Sequence, residues 1–295
     1  MPNCASCGVP LPESAAADQN PRCDGCRRTA AQRTVDAINA RANAPSLPPG
    51  KFSITRLVIV ANVLVFLLMV YHGVSARHPS REDILIWGGN EAFLTLAHQQ
   101  FWRLWTSTYI HIGFLHLALN MWCLFNLGRL AELFYSQRFL FAAYTFAGIT
   151  SSLLSVALHP FFPRVPSAGA SGAIMGVAGL LFASLRWGHI PLEEPTRKAL
   201  YREIAEFAGI TIFFGFAINW YSRAMGAGGG IDNAAHIGGL LFGILTGAVV
   251  GKHLTGLPED RAYRRRAWWA LGFFTLVLFL LILMWRLGLR IFITA

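Results

Sequence analysis

A chain of 295 residues in which 54% are hydrophobic and the mean hydropathy is +0.45 is excluded from being a water-soluble globule over most of its length. Its net charge of +10 could suggest nucleic acid, but a membrane protein keeps Lys and Arg on its cytoplasmic side to fix its orientation. That accounts for the charge, and no nucleic-acid partner is expected.

Four of the five cysteines fall in the first 26 residues. The N-terminus is polar and Cys-rich rather than basic and then apolar, so no cleavable signal peptide is expected. Cys4-x2-Cys7 and Cys23-x2-Cys26 are fifteen residues apart, a spacing suited to a zinc ribbon. Two such knuckles can give four thiolates to a tetrahedral Zn²⁺ and close its coordination sphere. A pair of disulfides, or two redox CxxC motifs, is the alternative. Residues 1–30 therefore read as a small soluble zinc-ribbon-like module with a structural, non-catalytic metal. The partner that such a module would dock is not named by the sequence. Residues 31–50 are polar and then Pro-rich, ending Ala44-Pro45-Ser46-Leu47-Pro48-Pro49-Gly50, and predict a semi-extended linker.

Seven apolar stretches follow, at about Ile54–Gly73, Phe114–Phe134, Phe139–His159, Gly169–Trp187, Phe207–Trp220, Ala234–Val250 and Trp268–Leu287. Most approach the ~17–25 residues that cross a bilayer. The fifth is short and is expected to extend back toward Tyr201. The stretch Val74–Gly113 is too mixed to span and is expected to lie partly in the interface. With a cytoplasmic N-terminus, which a reduced zinc site would prefer, 18 of the 25 Lys and Arg fall inside and 7 outside. The expectation is a multi-pass membrane protein with its C-terminus outside. Residues 51–250 form a six-helix core, and 251–295 form a basic cytoplasmic loop and a seventh span.

Three polar clusters stand near the N-terminal ends of spans two, four and six. They are His111-x4-His116-x3-Asn120, Gly169-Ala170-Ser171-Gly172 and Ala235-His236-x2-Gly239-x3-Gly243. His116 and Asn120, four apart, share a helix face. Spans two, four and six run in the same direction, so parity puts all three clusters near the outer leaflet. Small residues alone would read as close helix packing. Polar groups in a membrane, however, face a bundle interior or a wet cavity. A serine needs a base, usually His, to become a nucleophile, and acyl transfer needs donors for an oxyanion.

Together with Trp102-Arg103 in the first outer loop, these motifs resemble the rhomboid intramembrane serine proteases over about residues 54–250. The resemblance implies an all-α, six-helix membrane bundle with an appended seventh helix. It implies Ser171 as nucleophile and His236 as general base, with His116, Asn120 and the Ser171 N–H as oxyanion hole. His111, Trp102, Arg103, Gly169, Gly239 and Gly243 would be supporting residues, and Glu132 would belong to a hydrogen-bond network at the cytoplasmic end. Met175 departs from the family, many of whose members carry an aromatic residue there. Asp232 is expected to cap its helix rather than complete a triad. The implied activity is cofactor-free cleavage of single-span membrane proteins, in or near their transmembrane segment, by substrates entering from lipid beside span five. The glycine-rich Ser222–Gly230 loop is a candidate lid. A catalytically weak or inactive membrane-protein binder is the alternative; a transporter fits less well, because the polar groups gather at one leaflet.

Overall fold

The computed structural model describes residues 2–13, 21–26, 53–158, 166–188, 190, 192–226, 230–251 and 272. The linker, the seventh span, the basic loop before it and residues 227–229 of the glycine-rich loop lie outside the described residues. Among the described residues the chain is helical and has no strand, only the isolated bridges Asn3–Pro10 and Asn90–Ser167. Six long helices follow in order: α1 (Ile54–Tyr71), α2 (Phe114–Phe134), α3 (Gln137–Ala157), α4 (Ser171–Trp187), α5 (Glu194–Ala224) and α6 (Asn233–Val250). Of these, α1, α3, α5 and α6 are long and apolar enough to cross a membrane. The helix α2 reaches that standard together with the bent segment Arg103–Tyr109 before it, and α4 is a shorter apolar helix of 17 residues.

The helices begin where side chains can satisfy their first N–H groups. The Ser53 hydroxyl accepts from the Arg56 N–H, Ser136 from Phe139 and Asp232 from Ala235, each cap contributing about 1 kcal/mol. At the start of α1, the Glu132 carboxylate on α2 accepts from the Ser53 hydroxyl and the Thr55 N–H, both at 2.9 Å. This is the network expected of Glu132.

The core is centred on α4, nearly all of which is buried. Ile174, Val177, Leu180, Leu181 and Leu185 pack with Leu117, Leu124, Tyr144 and Phe242 from the surrounding helices. Against α6 the contact is backbone to backbone. A Cβ at Gly239 would fall on the Gly172 carbonyl oxygen, and one at Gly243 on that of Gly176. Across α3, Gly176 leaves room for Ala147. Small residues at four-residue spacing permit this approach in lipid.

Two element boundaries differ from the hydropathy reading. Helix α4 starts at Ser171, not Gly169, because Gly169 has φ +127°, outside the helical region. Helix α5 starts at Glu194 and runs 31 residues, beyond Phe207–Trp220 and also beyond its expected extension back toward Tyr201. Its first turns are polar, yet they stay helical through Pro195 in the first turn and a Glu194–Lys198 ion pair. At ~46 Å it is longer than a ~30 Å hydrocarbon core.

The segment between α1 and α2 folds on Arg103. Its guanidinium lies 4.5 Å from the Trp102 ring centre. It donates to the carbonyls of Leu85 (2.6 Å) and Gly89 (2.8 Å) and to Gln100 Oε1 (2.6 Å).

Candidate active site

Ser171 is the first residue of α4 and His236 lies in the first turn of α6. The Gly172–Gly239 crossing sits directly beside them and brings the two helix ends together. As a result His236 Nε2 stands 2.9 Å from Ser171 Oγ. For Nε2 to accept from the hydroxyl, the ring proton must sit on Nδ1. That atom is buried, with no hydrogen-bond partner among the described residues.

The chain before Ser171 is tied down by the segment between α1 and α2. Asn90 and Ser167 exchange two backbone hydrogen bonds of 2.8 Å, and the Gly169 N–H donates to the Ser107 carbonyl at 2.9 Å. The Ala170 N–H donates to His111 Nε2 at 3.4 Å. This fixes the His111 proton on Nδ1, facing the Tyr109 carbonyl at 3.4 Å. His111 is fully buried there and acts as a strut beneath the Ala170 peptide.

His116 and Asn120 face the same space from α2. The Ile112 N–H donates to His116 Nδ1 at 3.2 Å, leaving Nε2 as the protonated nitrogen and a donor. A Cβ at Gly169 would lie 3.0 Å from His116 Nε2 and 2.7 Å from Cε1, so the glycine makes room for this ring two residues before Ser171. The Asn120 amide donates to the His116 carbonyl at 2.8 Å and has a second N–H to offer.

Ser171, His236, His116, Asn120, Gly169 and Met175 all line one cavity of about 520 Å³. Met175 is fully buried one turn below Ser171. Leu119, Trp122 and Cys123 of α2 line the cavity, as do Phe207, Thr211 and Asn219 of α5. Asp232 caps α6: its Oδ1 accepts from the Ala235 N–H at 2.9 Å and its Oδ2 from the Ser155 hydroxyl. Its carboxylate is therefore engaged away from His236 Nδ1. The supports at Asn90, Ser107 and Ser155 went unread in the sequence. They are single polar residues in loops or at helix ends, with no spacing to mark them.

In the N-terminal segment Cys4, Cys7, Cys23 and Cys26 converge, their sulfur atoms all within 4.8 Å of one another. The thiols are free, with Cys7 and Cys23 sulfurs 3.6 Å apart. Four thiolates around a tetrahedral zinc at ~2.3 Å would be ~3.8 Å apart, so the cluster fits the ion.

The Rhomboid domain matches residues 98–253. Rhomboid protease GluP of Bacillus subtilis is 34% identical over 222 residues, covering 74% of this chain but only 38% of that protein. Rhomboid-like protease 3 of Toxoplasma gondii is 25% identical over 203 residues, covering 68% of this chain and 71% of the relative. Rhomboid protease AarA of Providencia stuartii is 26% identical over 209 residues, covering 66% and 72%. The chain belongs to the rhomboid family, an all-α class of integral membrane protein. It spans well under half the length of its GluP relative.

Proposed function

We propose that this protein is an intramembrane serine endopeptidase that cleaves single-span membrane proteins in or near their transmembrane segment. The observation that carries the reading is the 2.9 Å approach of His236 Nε2 to Ser171 Oγ inside the cavity.

His236 takes the Ser171 proton as Oγ attacks the scissile carbonyl carbon. The oxyanion receives N–H groups from His116, Asn120 and the Ser171 backbone. The imidazolium then gives its proton to the departing amine as the C–N bond breaks, leaving an ester on Ser171. Water, deprotonated by His236, hydrolyses that ester and restores the hydroxyl. No cofactor takes part in this scheme. The cavity walls from α2 and α5 support substrate entry from lipid beside α5. The substrate helix must open locally, because a helical peptide bond is shielded by its own hydrogen bonds.

The surrounding organisation belongs to the same reading. Residues 1–30 form the zinc-ribbon-like module, with Cys4, Cys7, Cys23 and Cys26 as ligands of a structural Zn²⁺. Residues 31–50 are a linker, 51–250 the protease core and 251–295 a basic loop and seventh span. The N-terminus is cytoplasmic, the active site faces the extracytoplasmic leaflet and the C-terminus lies outside.

The deciding experiment is cleavage of a single-span substrate in liposomes by the wild type and by Ser171→Ala. Cleavage is expected to vanish in the variant while its helical content is kept. Retained cleavage would remove Ser171 from the chemistry. A fluorophosphonate probe should label the wild type and not His236→Ala, and equal labelling would overturn the dyad. Substrate binding without any turnover by the wild type would favour the non-catalytic binder instead.

A further inference from the structure

Asn90 lies in the segment between α1 and α2, is 1% exposed, and is not among the described residues lining the cavity. All four of its polar groups are nevertheless engaged. Its main chain exchanges two 2.8 Å hydrogen bonds with Ser167. Its side-chain Nδ2 donates to the Ser152 carbonyl on α3 at 3.0 Å. That carbonyl can only accept, so the orientation of the amide is fixed, and Oδ1 is left to take the Thr95 hydroxyl at 2.6 Å. A carboxamide pinned at both atoms holds the Asn90 backbone in one place against α3.

A second tie reaches the same residue of α3. The Ser152 hydroxyl meets the Ser107 hydroxyl at 3.1 Å, and the Ser107 carbonyl accepts from the Gly169 N–H at 2.9 Å. Ser167 and Gly169, which both line the cavity, are thus braced on Ser152 by two routes. The brace ends at Gly169, the glycine that makes room for the His116 ring just before Ser171. The dyad is governed by a different contact, the Gly172–Gly239 crossing of α4 and α6. Asn90 can therefore bear on one part of the site without touching the other.

Resting on the protease reading above, we infer that Asn90 is a positioning residue for the oxyanion hole. It acts through Ser167 and Gly169 to set where the Ser171 N–H and the His116 ring stand relative to the attacked carbonyl. A misplacement of ~1 Å from a change far from the chemistry can cost ~10²-fold in rate. These donors count most once charge has developed on the oxygen, so the loss falls on kcat and leaves substrate binding alone.

The test uses the full-length protein in liposomes with a single-span substrate. Asn90→Ala is expected to lower kcat at least ~10-fold while KM stays within about twofold. A peptide aldehyde adds reversibly to a serine hydroxyl and leaves its oxygen in the hole, so its inhibition constant should rise by the factor that kcat falls. The pH dependence of kcat/KM, which reports the dyad, should keep its shape. Thr95→Val removes only the hydroxyl that Oδ1 accepts, and should move kcat and aldehyde affinity together by a smaller factor. A merely structural brace would lower the unfolding midpoint and leave both quantities at wild-type values in the folded protein. That result overturns the inference and leaves the protease reading intact. So does a loss confined to KM, a displaced pH profile, or a fall in kcat without the matching loss of aldehyde affinity. No cleavage by the wild type overturns both. If Asn90→Ala does not fold, Thr95→Val decides by the same readouts.

Discussion

The Asn120 carboxamide gives one N–H to the His116 carbonyl 2.8 Å away and lines the cavity with the rest of its amide. If its second N–H meets the oxyanion, that bond strengthens only as negative charge develops. Asn120→Ala should then lower kcat by ~10²–10³-fold with little change in KM, as steady-state kinetics would show; a loss confined to KM would assign Asn120 to substrate binding. At this scale the sequence was informative wherever chemistry imposes a spacing. His116 and Asn120 lie four apart, Ser171 sits among glycines, and His236 precedes Gly239 and Gly243. It was silent on Asn90, Ser107 and Ser155, because a hydrogen bond between distant loops leaves no periodic trace. Asp232 was legible as a cap, since an acidic residue before an apolar run has a local reason to be there.

Among the elements, α4 and α6 are joined through glycine. With the Gly172 carbonyl occupying the space of a Gly239 side chain, Gly239→Val must force the helices apart. It should cost about 3 kcal/mol or more, read as a lower unfolding midpoint in detergent, whereas Leu241→Val on the exposed face of α6 should change it little. Hydropathy located α2 at Phe114–Phe134 to the residue, because both of its ends coincide with changes in polarity or turn chemistry. For α5 it points to an extension back toward Tyr201 but misses the turns from Glu194 to Leu200, since helical continuity and burial in lipid are separate properties. Charged turns from Glu194 to Glu206 are good helix formers that need no membrane. The start of α4 was displaced by a backbone angle at Gly169 that composition does not reveal.

For the molecule as a whole, alternation of helix direction is what turns remote motifs into one site. Each polar cluster is near the start of α2, α4 or α6, so three helices running in the same direction bring them to a common level. On the seven-span reading of the sequence, 18 of the 25 Lys and Arg would fall on the side expected to be cytoplasmic. Outside the membrane, the four clustered thiols make a separate prediction. Metal analysis of the full chain purified without chelator should find about one zinc per chain, and Cys4→Ser with Cys7→Ser should reduce this to near zero; a metal-free wild type would reject the site. The glycine crossing beside Ser171 has a broader consequence. Distance between the reacting atoms is set by two main chains in touch, and side-chain packing elsewhere enters only indirectly. Sequence drift on the lipid-facing surfaces can therefore reshape what reaches the hydroxyl while its alignment with the imidazole stays the same, so new targets can be acquired without rebuilding the catalyst.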